Sequence, residues 1–329
     1  MSTPRHYCTY FDSRYIHRGL LTYESLRGQS SRAIVLWILC LDESSYTALQ
    51  DANLPGIKLI RLSELEAADR ELEAVKTSRT LVEYYFTCTP CLPVFILNQN
   101  PEIADITYLD GDLYFFADPE LVHSEVGDKS IAITPHRFPE EEKSREKCGI
   151  YNVAFNFFRR DEDGMACLNW WREQCIAWCY DRVEDGKFAD QGYLDDWPAR
   201  FNCVRVLDNP GVNLAPWNVK DVKLSISKGK VYANGSLLVF YHFHALKLIS
   251  PRLFNPSWEN YTISPSLILR FYVYQPYILS LSKINRKIDS TMRLEFGLRD
   301  HMPSWVRNRT WFSTILAVLT GRLFFRYHR

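Results

Sequence analysis

Residues 106–116, with the sequence ITYLDGDLYFF, decide the fold because they place two carboxylates between two apolar runs. In a strand, residues i and i+2 point the same way, so Asp110 and Asp112 can aim at one point from a strand end. Gly111 lets the backbone or a ligand approach closely. Two carboxylates in an apolar setting are costly unless a cation lies between them, and a divalent ion that holds phosphate oxygens fits that place. For the triplet alone, a solvated turn between two strands is the alternative.

The segments before the aspartates alternate between strand and helix patterns. The apolar run Ala33 to Leu41 is typical of a strand buried on both faces. Thr80 to Gln99 predicts a long helix, which we expect to be broken or offset by Pro90 and Pro93. A β-α-β-α order predicts an α/β fold with a mostly parallel sheet and helices on both faces. Ligands bind such sheets outside the carboxyl ends of the strands, so the position of the aspartates favours the metal site over the turn.

The composition is that of a globular protein with an uneven distribution of charge. The chain has 329 residues, 47% of them hydrophobic and 14% aromatic, enough for one large α/β domain or two smaller ones. The formal net charge is zero, but from Trp258 onward 11 Lys and Arg residues face four Asp and Glu residues. This split predicts an acidic catalytic body in residues 1–255 and a basic, mainly helical extension in residues 256–329. We expect no nucleic-acid partner.

The cysteines and the hydropathy pattern indicate the compartment. Among nine Cys residues, Cys88-Thr89-Pro90-Cys91 is the only CxxC, and it has no partner pair to complete a zinc site. Its aromatic surroundings favour buried free thiols over a redox motif. We find neither a signal-peptide pattern nor a run of about 18 apolar residues, and we therefore expect a protein of the reducing cytoplasm.

Three later segments carry polar groups that suit a sugar or a metal. Asn152 at a strand start can present its amide to a ligand hydroxyl, or it is a turn residue. Asp190 and Gln191 place an acid beside an amide before an apolar run, with a helix N-cap at Asp190 as the alternative. His242 and His244, two positions apart at a strand end, can ligate a metal from one face, although a lone His is more often structural.

The order of these segments resembles that of the nucleotide-sugar glycosyltransferases of the GT-A fold: Asp-x-Asp, then Asn before small residues, then Asp-Gln, then His. Glycosyltransferase family 8, in its bacterial surface-polysaccharide type, is the most similar, and the resemblance covers roughly Tyr7 to Lys247. It implies that Asp110 and Asp112 bind Mn²⁺ or Mg²⁺ on a nucleotide diphosphate and that His242 is the third ligand, with His244 as the alternative. The other implied contacts to the donor come from Thr9, Asp12, Tyr15, Gly111, Asn152, Asp190, Gln191 and Lys247, and the resemblance implies Gln191 and Asp190 as the catalytic residues.

The resemblance also distributes most of these contacts over the donor. Thr9, Asp12 and Tyr15 are assigned to the base and ribose, and Lys247 to the diphosphate. Asn152 and Asp190 are assigned to the sugar, and Gln191 to the reacting carbon. The chain departs from the family in two places. Ala154 stands where the family has glycine, and the ending from His242 to Lys247 is one residue shorter than the family's and lacks its Pro-Trp. These departures leave open which His binds the metal and what Lys247 does.

The activity implied by the resemblance is a metal-dependent transfer of a sugar from a nucleotide diphosphate sugar to a glycan or lipid-linked acceptor in surface-polysaccharide synthesis. Uridine is the implied base, and retention of anomeric configuration is the implied outcome. The departing diphosphate gathers negative charge, which a divalent ion and a cation stabilise. His136 and Arg137 line the acceptor side or belong to a surface loop. The alternative functions are a phosphohydrolase with Asp110 as nucleophile and a non-catalytic nucleotide-sugar-binding protein.

The C-terminal residues combine basic and aromatic side chains. Residues 304–329 contain five Arg residues and no acid, with Trp, Phe and Leu residues among them. Their longest apolar run, Trp311 to Gly321, is too short to span a bilayer, which needs about 20 residues. The pattern predicts a helix lying in an anionic membrane surface, at the inner face of the cytoplasmic membrane, with a helix packed on the body as the alternative.

Overall fold

A computed structural model describes residues 3–250, 253–261, 263–291 and 324–325 of the chain. The strands are β1 (Arg5–Phe11), β2 (Ile34–Cys40), β3 (Ile57–Arg61), β4 (Asp105–Leu109), β5 (Leu113–Phe115), β6 (Ile131–Pro135), β7 (Tyr151–Arg159), β8 (Val204–Val206), β9 (Leu224–Ser227), β10 (Lys230–Ala233), β11 (Ser236–Leu237), β12 (Phe240–His242), β13 (Lys247–Ser250), β14 (Leu253–Asn255) and β15 (Phe324–Phe325). The α-helices are α1 (Ile16–Gln29), α2 (Glu43–Ala52), α3 (Leu62–Ala68), α4 (Arg70–Val75), α5 (Leu81–Gln99), α6 (Glu120–Val126), α7 (Glu162–Ala177), α8 (Trp197–Arg200) and α9 (Gln275–Thr291). Short 3-10 helices lie at Lys76–Ser78, Glu140–Cys148, Gly192–Asp196, Val219–Asp221 and Trp258–Tyr261, and a π-helix at Leu269–Tyr274 leads into α9.

Seven strands form the central sheet, in the order β3-β2-β1-β4-β7-β6-β8. The first four run parallel to one another, β7 is antiparallel to both of its neighbours, and β8 is parallel to β6. The predicted α/β fold with a mostly parallel sheet is confirmed. Because β1, β2, β3 and β4 are parallel, their carboxyl ends meet at one edge of the sheet, and Asp110 follows β4 at this edge.

Helices cover both faces of the sheet, and strand β2 illustrates the cause. Leu36 and Ile38 pack into one core while Trp37 and Leu39 pack into the other, so alternate side chains of one apolar run serve opposite faces. The first core includes buried side chains of α1 and α9, and the second includes those of α5 and α7. A strand that is apolar at every position needs such a layer on each side.

Helix α5 runs through Pro90 and Pro93 without a break, so the predicted interruption does not occur. A proline in a helix interior removes a backbone donor and costs roughly 3 kcal/mol. Both prolines are buried, and the helix packs against α7 and the sheet, which offsets that loss. At the start of α5, Thr80 and Glu83 form a capping box in which each side chain accepts from the backbone N–H of the other residue.

The nine cysteines are all free thiols. Cys88 and Cys91 of the CxxC sequence lie in the core between α5 and α7, where burial raises the pKa of both thiols. A thiol with a raised pKa is a poor nucleophile near neutral pH. The prediction of buried free thiols is confirmed.

The chain beyond β12 folds back onto the body. β13 pairs antiparallel with β14, and β14 pairs antiparallel with β15. Helix α9 packs against α1, and its buried Tyr277 stacks on Phe243 with 3.6 Å between the ring centroids. The predicted membrane-surface helix in residues 304–329 lies outside the described residues, apart from the two of β15, and the boundary at residue 255 stays a prediction. Within the described ranges, no helix has the length and apolar character needed to cross a membrane.

Candidate metal centre and cleft

Two strand pairings bring Asp110, Asp112 and His242 together. Asp110 follows β4, and its backbone N–H donates to the carbonyl of Ala154 in β7 at 3.1 Å. Strand β5 begins directly after Asp112 and pairs antiparallel with β12, which places Leu113 opposite His242. The His242 side chain therefore reaches the aspartates from a distant part of the sequence.

The three side chains have the geometry of a metal site. His242 Nε2 lies 3.0 Å from Asp112 Oδ1 and 3.8 Å from Asp110 Oδ2. One potential ligand atom from each lies within 4.8 Å of the other two, and this is the one such group of His, Cys, Asp or Glu among the described residues. Carboxylate oxygens suit Mg²⁺ and Mn²⁺, and the imidazole nitrogen favours Mn²⁺ of the two. His244 is outside the group, with an exposed side chain whose ring centroid is 5.7 Å from that of His242.

Burial and neighbouring charges give the two aspartates different proton affinities. Burial raises the pKa of Asp110 to about 6, against the opposing effect of His242. Burial also acts to raise the pKa of Asp112, but the adjacent His242 outweighs it and holds that pKa well below its usual range. Burial lowers the pKa of His242, yet the two carboxylates outweigh it and the net shift is upward. Asp112 and His242 therefore form a buried ion pair. A divalent ion held by these side chains would take the place of the proton on Nε2.

Two tyrosines and an arginine orient the aspartates. The Tyr15 hydroxyl donates to Asp112 Oδ2 at 2.8 Å, and the Tyr108 hydroxyl donates to Asp110 Oδ1 at 3.1 Å. Arg18, three residues after Tyr15, donates from Nη1 to the Tyr15 hydroxyl at 3.1 Å. The sequence interpretation assigned Tyr15 to the base and missed Arg18 and Tyr108. Two spacings in the sequence could have indicated them. Arg18 follows Tyr15 by three residues at the start of a helix, and Tyr108 precedes Asp110 by two residues on a strand.

The candidate metal ligands line a cleft of about 1240 Å³. The same cleft is lined by most residues that the sequence assigned to the donor, namely Asp12, Tyr15, Gly111, Asn152, Asp190, Gln191 and Lys247. Thr9 is not among the lining residues, because its side chain is fully buried within β1. Lys247 is exposed at the start of β13.

A chain of hydrogen bonds joins His136, Asn152 and Gln191 along the cleft. Asn152 Nδ2 donates to Gln191 Oε1 at 3.3 Å and to His136 Nε2 at 3.2 Å. Burial lowers the pKa of His136 to about 3, so the ring is neutral; its Nδ1 donates to the carbonyl of Ile150 at 3.3 Å. Gln191 Nε2 donates to the carbonyl of Cys148 at 2.7 Å. Together these contacts fix the orientation of both amides.

The remaining assignments from the sequence concern Asp190, His136 and Arg137. Asp190 is a buried residue of the cleft lining, and burial raises its pKa to about 7, with the charge of Asp110 adding to the effect. Asp190 is not an N-cap, since the next helix begins at Gly192 and has no side-chain cap. His136 lines the cleft, whereas Arg137 donates to three backbone carbonyls between residues 207 and 212.

Two proteins of Bacillus subtilis (strain 168) are similar to the chain in sequence. The uncharacterized protein YfnF is 34% identical over 252 residues, which cover 74% of this chain and 82% of YfnF. The uncharacterized protein YfnD is 30% identical over 258 residues, which cover 78% of this chain and 82% of YfnD. The chain belongs to the family of YfnF and YfnD. No protein-family model matches it.

Two solved glycosyltransferase structures are similar to this member of the YfnF and YfnD family. The galactosyltransferase LgtC in complex with donor and acceptor sugar analogues aligns with a TM-score of 0.48 and 13% identity, over 84% of this chain and 95% of LgtC. The apo form of the glycosyltransferase GlyE of Streptococcus pneumoniae TIGR4 aligns with a TM-score of 0.49 and 14% identity, over 88% of this chain and 64% of GlyE.

Proposed function

We propose that the chain is a metal-dependent glycosyltransferase of the GT-A type, which transfers a sugar from a nucleotide diphosphate sugar to a glycan or lipid-linked acceptor. The observation that carries the proposal is the meeting of Asp110, Asp112 and His242 after the carboxyl end of β4, in a cleft that Asn152 and Gln191 also line. Parallel sheets bind ligands at this edge, and the two carboxylates offer the oxygen donors that suit Mn²⁺, with an imidazole nitrogen beside them.

The size and polarity of the cleft support a large, charged substrate. Sites for small molecules commonly occupy about 300–1,000 Å³. A cleft of about 1240 Å³ has room for a nucleotide sugar together with part of an acceptor. A metal ion bound by the Asp-Asp-His group supplies positive charge to the phosphates of the donor.

The chain's own side chains take the roles that surround the sugar. Asp110, Asp112 and His242 hold the metal ion, and the Tyr15 hydroxyl keeps the Asp112 carboxylate in place. The fixed amides of Asn152 and Gln191 present polar atoms to the sugar, where oxygen atoms help a carbon that becomes oxocarbenium-like. Uridine as the base, surface polysaccharide as the product and retention of configuration belong to this proposal as its finer parts.

A panel of nucleotide sugars tests the proposed function. Sugars linked to UDP, GDP, ADP, CDP and dTDP are incubated with the full chain, and release of the nucleoside diphosphate is measured with Mn²⁺ and with EDTA. We expect release of the nucleoside diphosphate from at least one donor in Mn²⁺ and none in EDTA. In Asp112→Asn we expect the rate of this release to fall by roughly 100-fold or more. Asp105→Asn is the matched control, because Asp105 begins β4, at the opposite end of that strand from the turn that contains Asp112, and pairs with Arg5.

The outcomes of this panel separate the candidate functions. Release that is equal with Mn²⁺ and EDTA, or equal in Asp112→Asn and the wild type, contradicts a metal-dependent transferase. Metal-dependent binding of a nucleoside diphosphate without turnover of any donor, tested with glycan acceptors present, points instead to a nucleotide-sugar-binding protein.

Attachment to a membrane surface is the part of the proposal that concerns residues 304–329, which lie outside the described residues apart from β15. Five Arg residues among aromatic side chains suit an anionic surface, and such attachment would bring the cleft to a lipid-linked acceptor. Liposomes with and without anionic lipid are mixed with the full chain and with a chain truncated at Ser304. Stronger binding of the full chain to anionic liposomes is expected, and equal binding by the two chains contradicts attachment through this segment.

A further inference from the structure

Arg18 is a cationic side chain of the cleft, and the proposed function assigns it no contact with the substrate. It lies in the first turn of α1 and lines the cleft together with Asp112. Its Nη1 donates to the Tyr15 hydroxyl, which in turn donates to Asp112 Oδ2. The guanidinium group is thus one side chain removed from the candidate metal ligands.

The guanidinium group of Arg18 is held in place by contacts within the protein, but not all of its N–H donors have a hydrogen-bond partner. Nη2 donates to the backbone carbonyl of Leu246, and the group lies 4.6 Å from the centroid of the Tyr15 ring. The Nε atom is buried and has no hydrogen-bond partner among the described residues. A guanidinium group has five N–H donors, and the hydrogen bonds to the Tyr15 hydroxyl and the Leu246 carbonyl use two of them. Because Arg18 lines the cleft, N–H donors of Nη1 and Nη2 remain for an oxygen of a ligand there.

The charge of Arg18 is also not compensated by a direct ion pair. No carboxylate in the described ranges forms an ion pair with it, and the first turn of α1 contains no acidic residue. The N-terminal end of a helix is itself positive, so a cation there is unfavourable unless an anion binds nearby. When a divalent ion balances Asp110 and Asp112, Arg18 remains as surplus positive charge beside the metal.

We propose that Arg18 binds the phosphate groups of the donor nucleotide beside the metal ion, a role that rests on the proposed function. A guanidinium group presents its N–H donors in a planar fork that matches phosphate oxygens. Lys247, which the sequence assigned to the diphosphate, is exposed at the start of β13, whereas Arg18 is held next to the Tyr15–Asp112 hydrogen bond.

The test measures how much of the binding depends on phosphate. Wild type, Arg18→Met and Arg18→Lys are titrated with UDP, GDP, ADP, CDP and dTDP in the presence of Mn²⁺, and then with the nucleoside of whichever diphosphate binds. In Arg18→Met we expect the diphosphate to bind roughly tenfold more weakly and the nucleoside to bind within about twofold of the wild type. Arg18→Lys keeps the positive charge but lacks the planar set of N–H donors. Its affinity for the diphosphate is expected to lie between those of the wild type and Arg18→Met.

Arg160→Met is the matched control. Arg160 is also half-buried and also donates to backbone carbonyls, those of Leu97 and Asn100, but it is not among the residues that line the cleft. We expect it to bind the diphosphate like the wild type. Lys247→Met is measured in parallel and is expected to weaken diphosphate binding less than Arg18→Met does.

Three results overturn the role of Arg18, and they differ from failure of the proposed function. The first is unchanged diphosphate binding in Arg18→Met, and the second is an equal loss for diphosphate and nucleoside. If thermal denaturation shows that Arg18→Met does not fold, Arg18→Lys replaces it in the test. The third result is then diphosphate binding in Arg18→Lys that equals that of the wild type. A wild type that binds no nucleoside diphosphate with Mn²⁺ refutes the proposed function itself, and the role of Arg18 falls with it.

Discussion

At the scale of single residues, Asp112 is the candidate metal ligand whose two carboxylate oxygens each have a different partner. It accepts a hydrogen bond from Tyr15 on one carboxylate oxygen and faces His242 on the other. The first contact leaves Oδ1 directed toward His242, where a metal ion would lie. A phenol that orients a metal-ligating carboxylate acts on affinity without touching the metal.

Tyr15→Phe tests this arrangement. It removes the hydroxyl and keeps the ring, so we expect Mn²⁺ to bind about tenfold more weakly, measured by calorimetry. Tyr23→Phe is the control, since Tyr23 is buried in α1, which begins directly after Tyr15, and its hydroxyl donates to the carbonyl of Pro55. Equal Mn²⁺ affinity in Tyr15→Phe and Tyr23→Phe would contradict the orienting role.

The buried Asp190 makes stability depend on pH. Its pKa of about 7 in the folded protein exceeds the value of about 3.9 for an unfolded chain. The folded protein therefore holds the proton more tightly, and this group lowers the free energy of unfolding as the pH rises from about 4 to 7. Above pH 7 the full penalty of the buried charge remains.

Asp190→Asn tests that account, because an amide resembles the protonated acid. We expect the variant to exceed the wild type in free energy of unfolding at pH 8 by on the order of 4 kcal/mol, and to equal it near pH 4. Urea denaturation in EDTA measures both values. A difference between the two proteins that is the same at pH 4 and pH 8 would contradict a buried, titrating Asp190.

At the scale of elements, the start of α5 is the clearest case of local sequence fixing local structure. Thr80 and Glu83 have the spacing of a capping box, and the structure contains both of its hydrogen bonds. The first turns of α5 also supply Val82, Tyr85 and Phe86 to the cleft. The cap therefore sets where one wall of the cleft begins.

Thr80→Ala is expected to lower the free energy of unfolding by about 1 kcal/mol, the usual effect of losing a side-chain cap. Thr77→Ala is the comparison, because Thr77 is an exposed residue of the preceding 3-10 helix. Chemical denaturation measures both. If the two variants lose equal stability, the capping box does not stabilise α5.

Sequence reasoning succeeded for elements whose signal is local. The Asp-x-Asp pair after a strand, the doubly buried β2 and the His at the end of β12 all follow from the pattern of neighbouring residues. It failed at Pro90 and Pro93, because burial of α5 against α7 is a tertiary effect that no local pattern contains. The same limit hid the contact of Arg18 with the distant Leu246 carbonyl.

At the scale of the whole molecule, α9 belongs to the same packed body as the site. Tyr277 is fully buried, stacks on Phe243 and lies in the core that also contains side chains of α1. The boundary at residue 255 comes from the distribution of charge along the sequence, and it stays a prediction. The alternation of strands and helices predicted the parallel part of the sheet, but the antiparallel β7 depends on long-range pairing.

Tyr277→Ala tests whether α9 stabilises the body. Removing a fully buried aromatic ring should lower the free energy of unfolding by about 3 kcal/mol or more, within a single cooperative transition. Tyr272→Ala serves as the control, because the Tyr272 side chain is 46% exposed. Two separate transitions, or equal losses in both variants, would indicate that α9 folds apart from the body.

The most direct test of the metal-dependent site is calorimetric titration of nucleoside diphosphates into wild type and His242→Gln, with Mn²⁺ and with EDTA. Asp110, Asp112 and His242 meet within 4.8 Å, so the account predicts that the wild type binds one diphosphate only with Mn²⁺. It also predicts that His242→Gln weakens this binding by about tenfold or more, since a metal ligand is lost. Binding that is equal with Mn²⁺ and EDTA, or unchanged by His242→Gln, would contradict it.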